Sequence, residues 1–179
     1  MNAVLVPTSI AAKNVDSLNR SVVAAVDVNN GAIFQLNGIS AEQGQGEVFN
    51  YAAPAEGALS NLWMAYSPEV VVTVSGDFQA KGIDADPRHF TNIAGVPFDA
   101  YKIQVGDLIQ LSKDGFENAY SDSTPFAVAV AGSNKLTWAA AAIEGVSYKL
   151  VKVEPIYVGT GVIGGNAEEA YILECVSIA

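Results

Sequence analysis

Residues Asn61–Phe116 read NLWMAYSPEVVVTVSGDFQAKGIDADPRHFTNIAGVPFDAYKIQVGDLIQLSKDGF. This stretch decides the fold class. Leu62–Tyr66 and Glu69–Val74 are short apolar or β-branched runs, parted by Ser67-Pro68. Val70-Val71-Val72 suits a strand covered on both faces. Ser75–Asn92 is expected to be a long irregular segment rich in turn residues, and long connections tend to carry contacts or function. Asp99–Val105 alternates, with Tyr101, Ile103 and Val105 facing one way and Lys102 and Gln104 the other, which is the period of a strand. Gly106-Asp107 then bends the chain, Leu108–Leu111 continues it, and Lys113-Asp114-Gly115 is a tight-turn signal.

The same punctuation runs outward in both directions. Ser21–Val28 and Ala32–Leu36 flank Asn29-Asn30-Gly31, which predicts a hairpin because Asn and Gly tolerate positive φ. Glu47–Ala52, Phe126–Ala131, Tyr148–Val153, Ile156–Val158 and Glu169–Ile178 read as further strands. Leu136–Ile143, with Trp138 and four alanines, is expected to form a short helix. Short strands at turn-marked spacing give a mainly β fold: an antiparallel sandwich or barrel with long loops and a short helix at most. Residues 1–18 read as an extended N-terminal arm, in which Val4, Val6 and Ile10 suit an edge strand that Pro7, Asn14 and Asp16 break up. Residues 19–179 then form one β-rich domain.

Composition narrows the functional classes. Half of the 179 residues are hydrophobic and only 16% are charged, against about 25% for ordinary soluble domains. Such a balance fits either a well-filled core or apolar surface buried against other subunits. The formal net charge is −10, and the nine basic residues are scattered singly. Nucleic-acid binding needs clustered Lys and Arg, so no nucleic acid is expected as a partner. No window approaches the ~20 apolar residues of a membrane span, and the N-terminus lacks the basic region of a signal peptide. The lone Cys175 sits in the apolar run Tyr171–Ile178 and reads as a small buried side chain.

Several motifs suggest chemistry and fail on context. His89, the only histidine, lacks a visible nucleophile or acid partner. Asp77, Asp84 and Asp86 do not have the spacing of a calcium loop, and Asp86-Pro87 is an ordinary turn former. Gly159-Thr160-Gly161-Val162-Ile163-Gly164 matches a dinucleotide fingerprint by letter. The required helix and acidic residue have no room after it, so it reads as a hairpin loop. A Cys175–His89 nucleophile pair would put the thiol in an apolar strand, where it is inert. No enzyme, metal ligand or cofactor is therefore expected. The aromatic set Trp63, Phe90, Phe98, Tyr101 and Phe116 reads as anchors of a core or an interface.

The order of these segments resembles a family of structural proteins of tailed phages. The resemblance is carried by Asn30-Gly31 followed by Phe34, Leu36-Asn37-Gly38-Ile39-Ser40, by Gly46-Glu47-Val48-Phe49, and by LWMAYSPEV from Leu62. It continues through DPRHFTNIAGVPFDAYKIQVGDLIQLS from Asp86 with Asp114-Gly115-Phe116, and ends on AYILECVSI from Ala170. It is clearest from Leu62 to Phe116. The family is that of capsid decoration or auxiliary head proteins. Membership implies a non-enzymatic virion component on the capsid surface, assembled in the host cytoplasm, with the major capsid protein and copies of itself, such as a trimer, as partners. A tail-tube or other tail component, and a carbohydrate- or receptor-binding β-module using Trp63 or Trp138, are the alternatives. Val4, Val6, Trp63, Phe78, Arg88, His89 and Phe90 are the candidate interface residues.

Overall fold

The computed structural model describes residues 1–41, 46–69, 71–75, 80–84, 86–158 and 166–179. Its strands, in chain order, are β1 (Leu5–Ser9), β2 (Asn19–Val23), β3 (Ile33–Ile39), β4 (Val48–Ala52), β5 (Trp63–Ala65), β6 (Val71–Ser75), β7 (Ala80–Asp84), β8 (Phe98–Lys102), β9 (Leu108–Ser112), β10 (Phe126–Ala129), β11 (Leu136–Ala139), β12 (Val146–Val153), β13 (Ile156–Val158), β14 (Asn166–Glu168) and β15 (Ala170–Ile178). Helical structure among the described residues is confined to three-residue 3-10 turns. The mainly β expectation therefore holds.

Two β layers pack on a common core, and one of them encloses a second. Strands β2-β4-β3-β5-β8 close into a small barrel, and β1-β9-β15-β12-β10-β11 form a six-stranded antiparallel sheet. The period-two rule explains how one wall serves both. On β5, Trp63 and Ala65 enter the barrel interior while Met64 points to the sheet; on β8, Phe98 and Ala100 point in and Tyr101 points out. Ile33 and Phe34 divide in the same way on β3. The interior is filled by rings, with Phe34 5.1 Å from Tyr51 and 5.9 Å from Phe98. Between barrel and sheet lie Ile33, Met64 and Tyr101, packed with Ile109, Leu111, Tyr148, Leu173 and Cys175. Among the described residues β5 is buried on both faces, as is most of β10. The side chains of Val70–Val72 lie outside the described residues.

The N-terminal arm docks on the domain. Leu5–Ser9 pairs antiparallel with β9 and forms an edge of the six-stranded sheet. Pro7 lacks an N–H, and an edge strand is where a sheet tolerates that. The preceding residue is tied too: Val4 N donates to Ser112 Oγ at 2.9 Å, and Ser112 N donates to Val4 O at 3.0 Å. Beyond the strand, Ala11 N donates to Asp107 Oδ1, whose second oxygen accepts from Gln104 N. One buried carboxylate thus holds the first 3-10 turn (Ala11–Lys13) against the turn before β9. The strand it pairs with could not be read from sequence, because these partners lie about a hundred residues away.

Three expectations are corrected. The hairpin predicted around Asn29-Asn30-Gly31 does not form: β2 pairs in parallel with β4 and antiparallel with β8. The segment after β2 bridges to Asn92 instead, and the Asn30 side chain turns inward to bind both N–H and C=O of Ser67. The helix expected over Leu136–Ile143 is an edge strand, β11, followed by irregular chain. Pairing with β10 and burial of Leu136 and Trp138 outweigh the alanines' helix preference. Within Ser75–Asn92, β7 pairs with β6, and Pro87–His89 forms a 3-10 turn. The glycine-rich segment 159–165 lies outside the described residues, flanked by the antiparallel strands β13 and β14.

Candidate contact surfaces and an aromatic cleft

Three of the sequence-selected residues meet around the chain start. Asn2 N donates to Arg88 O, and Asn2 Nδ2 donates to Phe90 O. Val4 packs with Ile156, Val158 and Ala170, the base of the β13–β14 hairpin. The turn between them is built locally. Asp86 caps it by accepting from Arg88 N, and Pro87 supplies a preset φ at its first position. Asp86 also takes the Arg88 guanidinium in a fork, through Nε at 2.9 Å and Nη2 at 2.5 Å. Those hydrogen bonds hold the Asp86 carboxyl down to about 2. Glu168 of β14, nearly buried, lies 3.7 Å from Arg88 Nη1 and 3.6 Å from Lys113 Nζ. This charged cluster joins the N-terminus, the Pro87–His89 turn and the hairpin.

The other selected residues are dispersed. Val6 is exposed on β1 opposite Gln110. His89 is exposed at the end of its turn. Trp63 is buried inside the barrel, where the Arg20 guanidinium lies 5.8 Å from its ring and from that of Phe49. Trp63 and Val4 therefore cannot serve as free contact residues, because closing the barrel and docking β1 consume them. Phe78 and Asp77 lie outside the described residues, as does the Asp84 side chain. Cys175 is buried, and desolvation, aided by the Asp107 charge, pushes its thiol up to about 12. Among the described residues no three His, Cys, Asp or Glu side chains gather closely enough to hold a metal ion. No helix among them is long and apolar enough to cross a membrane.

A surface the sequence reading missed lies at one end of the barrel. Val28 and Asn92 exchange both backbone hydrogen bonds, Gly95 N donates to Ala24 O, and Ala94 N donates to Asp27 Oδ1. These bonds zip Ala24–Val28 to Asn92–Val96. Beneath them Asn92 Nδ2 donates to Val28 O and Asn30 Oδ1. The zipped loops present Val26, Ile93 and Val96 to water at 56%, 62% and 53% exposure. The paired loops thus carry all three of these exposed side chains at one end of the barrel. In sequence they are single apolar residues among turn formers, so no periodicity announced them.

A cleft of about 280 Å³ opens at the far edge of the sheet, lined by Phe116, Tyr120, Trp138 and Tyr171 with Lys113, Asp114, Asn118 and Glu169. Phe116 stacks on Trp138 at 4.6 Å, and Tyr171 meets Trp138 edge-on at 4.9 Å. Asn118 clamps the Trp138 backbone through both ends of its amide, at 2.7 and 3.1 Å. Trp138 is 3% exposed, and its Nε1–H meets no acceptor among the described residues. Both tryptophans are thus buried, which removes the exposed stacking platforms expected of Trp63 and Trp138.

Comparison with protein-family models, curated proteins and solved structures returned no match.

Proposed function

We propose that this chain is a virion structural protein of a tailed phage, a decoration or cement protein that binds the outside of the capsid and stabilises it. The observation that carries the reading is the exposed apolar tip of Val26, Ile93 and Val96, carried on paired loops over a buried hydrogen-bonded floor. The resemblance of Leu62–Phe116 to auxiliary head proteins supports it, and the tip's second loop falls within that stretch. The work such a protein does is mechanical. Ligands that bind only the assembled state stabilise it by mass action, about 2.7 kcal/mol per site at a concentration 100 times Kd. The major capsid protein is the proposed partner, with further copies of this chain as neighbours.

The test mixes purified protein with heads that lack it. Saturable binding and a raised temperature of DNA release are expected from the native chain, and Ile93→Asp, on an exposed loop, should fold normally and bind far more weakly. Absence of binding by the native chain, or its assembly into rings or tubes on its own, would place it elsewhere in the particle.

A further inference from the structure

The chain contains two Asn-Gly pairs, Asn30-Gly31 and Asn37-Gly38, and the fold treats them in opposite ways. We propose that Asn37 is a site of spontaneous covalent modification, deamidation through a succinimide formed with Gly38. The chemistry belongs to the pair itself. The backbone nitrogen of the following residue attacks the asparagine side-chain carbonyl carbon, Cγ, and closes an imide ring. The Cγ–Nδ2 bond breaks, and ammonia leaves with the proton of the attacking nitrogen. Water then opens the ring at either carbonyl, which leaves aspartate or isoaspartate. Glycine favours the attack, because it has no Cβ to shield the nitrogen and restricts the backbone least.

Asn37-Gly38 meets the conditions. Leu36 pairs with Tyr51 and Ile39 with Phe49, so Asn37 and Gly38 stand together against Asn50 alone, as a β-bulge on β3. A bulge interrupts the ladder and leaves its extra residue unpaired. Gly38 has φ +68°, which glycine adopts without strain. Both residues are exposed. Apart from its chain neighbours, no atom of a described residue lies within 4 Å of the place a Gly38 Cβ would take. The ring, and the water that opens it, therefore have room. Asn30-Gly31 is closed on every count. The buried Asn30 amide donates through Nδ2 to Ser67 O at 2.9 Å and accepts at Oδ1 from Ser67 N at 3.0 Å. The would-be attacking atom is tied as well, since Gly31 N donates to Ala65 O at 2.9 Å. The Leu111 side chain fills the space beside Gly31. Reaction there would break all of these bonds inside the core. Each conversion at Asn37 adds a negative charge to a chain already at −10. Isoaspartate also lengthens the backbone, at a bulge that already accommodates an extra residue.

The experiment incubates the full chain in mildly alkaline buffer well below its thermal midpoint, with a guanidinium-unfolded sample in parallel. Isoelectric focusing follows the acidic forms, and fragment-resolved mass spectrometry locates the modified residue. In the native chain Asn37 is expected to convert to a mixture of aspartate and isoaspartate while Asn30 stays intact. In the unfolded chain both should convert at similar rates. Asn37→Gln, whose longer side chain closes its ring far more slowly, should lose the native acidic form, and its thermal midpoint establishes that it is folded. An Asn37 that stays intact in the native chain overturns the proposal, with the unfolded chain setting the time to wait. Equal conversion of Asn30 and Asn37 in the native chain also overturns it, and so does a native acidic form that Asn37→Gln leaves undiminished. The inference does not rest on the head-protein reading, and either can fail alone.

Discussion

Tyr148→Phe should stabilise this protein. Tyr148 sits on β12 between Cys175 of β15 and Ala127 of β10 and is completely buried. Its hydroxyl has no hydrogen-bond partner among the described residues. Burial drives its pKa well above the ordinary phenol value, so the group stays neutral, yet it still forfeits the water it bonded when unfolded. A buried hydroxyl left unpaired costs about 1–3 kcal/mol. Phenylalanine keeps the ring and its contacts and removes only the oxygen. Even an unrelaxed void of about 10 Å³ returns only about 0.2 kcal/mol of that gain, at roughly 24 cal/mol per Å³. The net expectation is a gain of about 0.8–2.8 kcal/mol.

Urea unfolding reads this directly. With a slope near 2 kcal/mol/M, the midpoint should rise by about 0.4–1.4 M at unchanged slope. The thermal midpoint should rise by about 2–4 °C per kcal/mol. Tyr101→Phe is the internal comparison. That neighbouring phenol donates to Met64 Sδ at 3.0 Å, so its removal should give no gain. A midpoint for Tyr148→Phe equal to or below that of the native chain refutes the reasoning, because it would mean the hydroxyl is satisfied.

Three other outcomes follow from named contacts. Asp86 is held to about 2 by Arg88, against an ordinary 3.8, so its pairing stabilises the fold above pH 3.8 and is lost as pH falls towards 2; Asp86→Asn should flatten that acid limb in thermal midpoints measured against pH. Gly115→Ala should cost about 1–3 kcal/mol in urea unfolding, because the new Cβ would lie 2.6–2.8 Å from the buried Leu111 side chain, which Gly31 crowds from another side. Cys175, buried and with its thiol pushed up to about 12, should resist a disulfide-exchange reagent in the native protein and react once urea unfolds it; rapid native-state labelling would show the sheet opens there.

How far the sequence foretold this molecule depends on the distance over which each decision is made. Strand positions came from local alternation and turn residues, as at β8, β9 and β15. The burial of Cys175 followed from the apolar run around it. Pairing is a different matter. β2 beside β4 in parallel, or β1 beside β9, depends on contacts such as Val4 with Ser112 and Ala11 with Asp107, between residues with no local relation. The same holds for surfaces. Trp63 looked like an anchor for a partner, but barrel closure turned it inward. Val26, Ile93 and Val96 looked unremarkable until two loops 67 residues apart were zipped together through Asp27 and Ala94. The aromatic cleft draws Phe116, Trp138 and Tyr171 from three places in the chain, and only the sheet brings them together.

Electron microscopy of the parent particle tests the central claim most directly. If the chain cements the capsid, its barrel and six-stranded sheet will fit repeated density on the outer surface of the head, with the Val26–Ile93–Val96 tip against a neighbouring subunit, and that density will be missing from particles made without it. Fitting density in the tail, or none on the particle, would contradict the account.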